Sequence, residues 1–369
     1  MTPTITRCAT LCGIVAAMLA SAQPAGAQRA VEIPDRPTCP RCRIELRPVA
    51  TLRELPDSVL FDDGWARVER DSRGRFYAVD RSRTSIAVFD SAGRFLRRIG
   101  RGGDGPGEFR WIYVVAMAAG DTLHVPDSRH RRETTLSPSY RVVRSRSFPS
   151  VVYEMVPLPG GTSVTNVVSG SRELAGLPLQ IVDTGGKVLR AFGNDQSAYR
   201  ADIEPSVWRR SLAVRGARDL FAARRQEYVI ELWDLMGTKR GEWVRRADWF
   251  EPWLVPESLR DREQPRPILT AVRAAPDGLL WVMVAVGDGR YREAIAESDQ
   301  IPHGIGRGNR NRYYDTIVEV LDLRSARVLA RQRFDNLLHG FFGSGLTAAT
   351  PEADGDQTIE IYTMQLDQP

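Results

Sequence analysis

From Trp65 onward the chain alternates short apolar runs with polar turns. WARVER, FYAVD, IAVFD and RFLRRIG are separated by DSRGR, RSRTS and SAG, and within the runs apolar and polar side chains alternate. Alternation of this length, bounded by Gly, Ser, Asp and Arg, predicts half-buried antiparallel strands joined by tight turns. The unit then recurs. Asp90, Ser137, Asp183, Asp234, Asp322 and Asp367 occupy equivalent places, each closing an apolar, β-rich run. Successive anchors lie about 45 to 50 residues apart. The one double-length step, from Asp234 to Asp322, contains an insertion.

A four-stranded unit with this period cannot bury both faces alone, and neighbouring units must pack side by side around an axis. The last repeat offers HGFF, LTAAT and TIEIYTMQLD and then the chain stops. Its missing strand is predicted to be RIELRPVATL, Arg43 to Leu52, which would close the ring and remove open sheet edges. The expected fold is all-β: a six-bladed β-propeller with four antiparallel strands per blade. The expected organisation is a signal peptide over 1–27, a CxxC-bearing segment over 28–42, and a single propeller domain over 43–369.

The first repeat resembles the six-bladed propellers of the NHL-repeat and TolB-like bacterial type. FYAVDRSRTSIAVFDSAGRFLRRIGRGGDGPGEF carries the resemblance, and LHVPDSRHRRETTLS carries it more weakly. The connector Gly102, Gly103, Gly105, Pro106, Gly107, Glu108 and Phe109 is its most specific part. It lacks the Lys-Ser/Thr and the helix of a phosphate loop, and its glycines and proline suit a tight passage between blades. Such propellers include metal-dependent lactonases with a central-channel site, so the resemblance implies that a divalent metal and hydrolase chemistry are the alternative to a purely binding role.

Composition adds the compartment. Arg7, the apolar stretch Ala9 to Ala20 and AQPAGA form an export signal, with cleavage expected after Ala27. No later apolar run approaches the length of a membrane span. The expected product is a periplasmic or secreted monomer. Lys187 and Lys239 are the only lysines, so the net charge of +5 is carried by arginine. That modest balance fits a solvated surface or an anionic envelope partner and excludes a dedicated nucleic-acid face. Cys8 and Cys12 leave with the signal. Cys39 and Cys42, in TCPRCR, have no second ligand pair for zinc and no following His for haem attachment, and a structural disulfide is expected.

Strand direction alternates, so turns after first and third strands share one face of the disk, while turns after second strands and crossings between blades share the other. The second set holds nearly all the loop length, which makes that face the expected recognition surface for a protein, a glycan or a small anionic ligand. Its candidates are Arg131 in SRHRRE, Trp249 and Trp253 in ADWFEPWLVPESL, and Arg290, Tyr291, His303 and Arg310 in the insertion. The two tryptophans could stack on a ligand or cap the packing between blades; the insertion could be a lid or a solvated excursion. Glu69, Glu154 and Arg273, on first strands, are expected to face the central channel. No G-x-S-x-G elbow is present, and no catalytic residue or cofactor is assigned. His124, His130, His303 and His339 are too scattered to form a metal site.

Overall fold

A computed structural model of the chain describes residues 29–53, 55, 61, 66–148, 150–169, 172–193, 209–253, 265–298, 310–351 and 357–368. The signal region lies outside them. Six sheets are arranged as blades. Blade 1 comprises Val68–Arg70, Phe76–Val79, Ile86–Phe89 and Phe95–Ile99. Blade 2 begins at Ala116–Ala118, blade 3 at Ser150–Pro157, blade 4 at Arg210–Arg215, blade 5 at Ile268–Ala274 and blade 6 at Leu338–Phe342. These six first strands are innermost, and each contacts the next around a closed ring.

The strand alternation explains the packing. In blade 1, Phe76, Ala78 and Phe89 join a core with Leu52, Leu346 and Ile361 of blade 6, while Tyr77, Val79 and Val88 join a core with Leu123, Val125 and Leu136 of blade 2. Successive side chains point to opposite faces of a strand, so each blade fills the wedge on both of its sides. Blade 5 repeats the arrangement: Leu280, Val282 and Val284 face blade 4, whereas Trp281 and Met283 face blade 6.

The recurring aspartate has a local cause. Asp90 Oδ1 accepts hydrogen bonds from the backbone N–H groups of Ala92 and Arg94 at 2.9 Å, and Asp183 and Asp234 hold the same turn in blades 3 and 4. A side-chain acceptor placed this way nucleates the reversal between the third and fourth strands. Asp367 ends its strand without such a turn, because the fourth strand of blade 6 comes from the other end of the chain. Arg43–Arg53 pairs antiparallel with Thr358–Asp367, from Arg43 opposite Asp367 to Arg53 opposite Thr358.

Ahead of that closing strand the chain forms a strap that the alternation did not reveal. Val31–Ile33 pairs in parallel with the outer strand of blade 4, giving that sheet a fifth member. Asp35 then reaches the boundary of blades 4 and 5, and the N–H groups of Thr38 and Cys39 donate to Val328 and Leu329 on the outer strand of blade 5. Cys39 and Cys42 form the expected disulfide, and Cys42 enters the core between blades 5 and 6. The connector after blade 1 is also ordered by pairing: Glu108 Oε2 accepts from Gly105 N at 2.8 Å, and Gly103 has φ +152 where a Cβ would meet that carboxylate. The insertion of blade 5, expected as a lid or a solvated excursion, contains an eight-residue helix, Tyr291–Ser298. Its apolar side, Tyr291 and Ala294, is stabilised by packing on Tyr313, Tyr314 and Leu337, a long-range contact that local pattern does not encode.

Candidate functional site: a cationic mouth on the central channel

The innermost strands enclose a cavity of about 620 Å³, within the usual range for small-molecule sites. All six strands run the same way along the axis, so residues at their starts mark the long-loop face. Arg67 and Arg209 immediately precede the first strands of blades 1 and 4, and Arg225 follows the second strand of blade 4. All three line the cavity at that end.

They are organised by aromatic rings. The Arg67 guanidinium lies 5.6 Å from the centroid of Tyr113, Arg83 lies 5.8 Å from it and Arg209 lies 5.6 Å from it. Arg209 also sits 4.1 Å over Tyr153 and donates to the Tyr113 hydroxyl at 3.1 Å. The two tyrosine rings meet edge to face at 5.2 Å. Farther out, Trp111 carries Arg83 at 5.2 Å and Arg129 at 5.1 Å. Rings hold guanidinium planes through the quadrupole while leaving their N–H edges to act as donors.

The charges act on one another. Burial pushes the Tyr113 hydroxyl up, but the positive charges of Arg67, Arg209, Arg225 and Arg83 together bring it below the usual phenol range. Burial lowers Arg225 to about 10, a guanidinium held among like charges. Arg67 and Arg209 form no ion pair among the described residues, whereas Arg75, Arg94, Arg101, Arg110, Arg146 and Arg245 each have a carboxylate partner.

Glu69 and Glu154 lie farther along the same cavity, and Arg273 lines its opposite end. Burial raises Glu69 to about 8, against the nearby Arg70 backbone and the Arg67 charge. Burial raises Glu154 to about 7, opposed by Arg67, by the Leu212 N–H and by Arg225. Glu154 Oε1 accepts from Leu212 N at 3.2 Å. Arg273 stacks 4.8 Å over Trp281 and 5.4 Å over Phe341, and burial lowers its pKa.

The other sequence candidates do not converge on this cavity. Arg131 is exposed in the second turn of blade 2, with φ 48. Trp249 packs on Tyr228 and Phe250 at the boundary of blades 4 and 5, the capping arrangement rather than a free platform. Trp253 donates its indole N–H to the Pro267 carbonyl at 2.9 Å. Arg290 pairs with Asp288 at 3.2 Å, Tyr291 opens the helix of the insertion, and Arg310 begins the short helix Arg310–Tyr313. His303 lies outside the described residues. His124 is buried against Glu133 at 2.7 Å, His130 meets Asp104 at 2.6 Å, and His339, on the cavity wall, bonds Thr350 at 2.8 Å.

Among the described residues no three His, Cys, Asp or Glu side chains are grouped to hold a metal ion. The third carboxylate of the cavity lining, Asp121, is occupied by the backbone and hydroxyl of Ser72 at 2.8 and 2.7 Å. The described residues therefore do not fit the metal centre that a lactonase-like propeller would require.

The cationic mouth was missed by sequence reading, although a signal for it existed. Arg67, Tyr113 and Arg209 all stand just before a first strand, in WARVER, WIYVV and VWRRS, and a residue there must project at the channel rim.

Comparisons with known proteins agree on the fold. A match to the DUF5128 family, described as a 6-bladed beta-propeller, covers residues 57–131. No curated protein sequence matches the chain. Among solved structures, a protein of Bacteroides fragilis NCTC 9343 classed as exported superposes with a TM-score of 0.59 at 10% identity, over 92% of this chain and 99% of that one. A member of the duf4221 family from Bacteroides vulgatus superposes with a TM-score of 0.61 at 9% identity, over 88% of this chain and 99% of that one. No helix among the described residues is long and apolar enough to cross a membrane. Six sheets around one channel, a chain end that closes the last of them, and these likenesses make the chain a six-bladed β-propeller.

Proposed function

We propose that this chain is an exported binding propeller, released after Ala27 as a periplasmic or secreted monomer, that captures an anionic group of a small molecule or an envelope glycan or protein at the long-loop mouth of its channel. The observation that carries this reading is the convergence of Arg67, Arg83 and Arg209 on Tyr113, with no carboxylate within ion-pair distance of Arg67 or Arg209 among the described residues. Assembling like charges in a partly desolvated cavity is unfavourable unless an anion offsets it, and bidentate guanidinium donors suit carboxylate, sulfate or phosphate. The described residues at the mouth are guanidinium donors held on aromatic rings, a set that supports capture.

Calorimetric titration of the mature protein with citrate tests it. A charge-assisted hydrogen bond contributes about 1.5 to 3 kcal/mol, so Arg209→Ala and Arg67→Ala should each weaken citrate by about tenfold or more. Undetectable citrate binding, or an Arg209→Ala variant that binds as the parent does, would refute it.

A further inference from the structure

The cavity is divided in a way that narrows the ligand. Arg67, Arg209 and Arg225 gather at the long-loop mouth and Arg273 lines the opposite end; of the three carboxyl groups in the lining, Asp121 is taken up by Ser72, and Glu69 and Glu154 lie deeper between the blades. Neither carboxyl forms an ion pair among the described residues, although Arg67 is close enough to act on both electrostatically. Guanidinium groups and buried carboxyls left apart around an open volume are an unusual arrangement, because collapse into ion pairs would satisfy both sets. An inorganic anion would engage the arginines and leave the carboxyls with only the backbone N–H groups of Arg70 and Leu212. An amine would be repelled by the arginine cluster it must pass.

We infer that the ligand is a hydroxylated carboxylic acid, its carboxylate held by Arg67 and Arg209 and its hydroxyls by Glu69 and Glu154. This rests on the anion-binding reading above and adds the second half of the recognition. A carboxyl that carries its proton near neutral pH, as burial makes these two do, both donates to and accepts from a hydroxyl. The Tyr153 ring, which carries Arg209, also lines the cavity and offers a face to the C–H groups of such a molecule. An apolar acid would meet the arginines but give the carboxyls nothing beyond the backbone N–H groups they already hold, and a site built to hydrogen-bond hydroxyls rejects the analogue that lacks them.

The test is calorimetry of the mature protein at pH 7 with three probes: glucuronate, which has both halves, propionate, which has the acid alone, and glucose, which has the hydroxyls alone. Glucuronate should bind at least tenfold more tightly than propionate, and glucose should bind more weakly than either. Glu154→Leu should keep propionate affinity and reduce glucuronate to the propionate level, while Glu154→Gln, which still donates and accepts, should recover most of the difference. Equal affinities for glucuronate and propionate in the parent would overturn this inference and leave anion capture standing. Loss of neither acid on Arg209→Ala, or binding of neither acid to the parent, would remove the anion reading and this one with it.

Discussion

Arg245 donates to Glu319 across the boundary of blades 4 and 5, Nη2 to Oε1 at 2.8 Å, with both side chains fully shielded from solvent. Glu319 also accepts from Arg331 at 2.7 Å and from the Tyr228 hydroxyl at 2.5 Å, while Asp35 of the strap caps the two arginines. One carboxylate thus ties two blades and the N-terminal segment together. Removing it leaves the buried Arg245 with only the half-exposed Asp35 as a carboxylate partner, and breaking a buried pair typically costs about 3 to 5 kcal/mol. Glu319→Ala should therefore lower stability by about that amount in urea unfolding followed by tryptophan fluorescence. Asp35→Ala, at a half-exposed position, should cost about 1 kcal/mol or less.

Ring closure depends on a turn that has no room for a side chain. Gly93, in the SAG turn of blade 1, has φ +83, and a Cβ there would stand 2.3 Å from the Thr51 carbonyl oxygen of the closing strand. Gly120 has φ +74 with nothing within 4 Å. Gly120→Ala should cost about 1 kcal/mol for the left-handed backbone alone, and Gly93→Ala should cost at least about 1 kcal/mol more, because backbone must move. Equal thermal shifts for the two variants would show that the turn does not abut the closing strand.

The Cys39–Cys42 disulfide closes a very short loop. Chain-entropy arguments assign such a loop about 2 kcal/mol. The double Cys39→Ser, Cys42→Ser variant should lose about that much, and reductant should destabilise the parent to the same level without affecting the variant.

Glu69 and Glu154 set a pH dependence with a definite sign. Their folded-state pKa values, about 8 and about 7, lie above the ordinary 4.5. Between these limits the folded protein holds protons that the unfolded chain releases, so their contribution favours folding at low pH and is lost as pH rises from about 5 to 8. A fully retained proton corresponds to about 1.4 kcal/mol per pH unit. Glu154→Gln should flatten part of the fall in stability over pH 5 to 7, and Glu69→Gln should flatten it up to pH 8. An unchanged stability-pH profile in the double variant would mean that neither carboxyl is desolvated.

Much of the fold was legible because it rests on local rules. The period-two alternation of FYAVD and IAVFD specifies which side chains enter which wedge, and the turn aspartates specify where the strands reverse. The pairing of Arg43–Arg53 with the last strand was legible too, since one repeat lacked a strand and one strand lacked a repeat. Glu69, Glu154 and Arg273 follow from the same alternation, as they fall on first strands that must surround the axis.

What alternation determines is side: each residue's face of its own strand. It carries no information about which separate blades meet. The placement of Arg67, Arg209 and Tyr113 around one point joins blades 1, 4 and 2 through the curvature of the ring, and no local spacing encodes a contact across a channel. Likewise, the strap from Val31 to Cys39 gains its structure from the outer strands of blades 4 and 5, whose free backbone groups and buried Arg245 exist only once the ring has assembled. Short-range pattern therefore decided the blades and their closure, and tertiary packing alone decided where their charges converge.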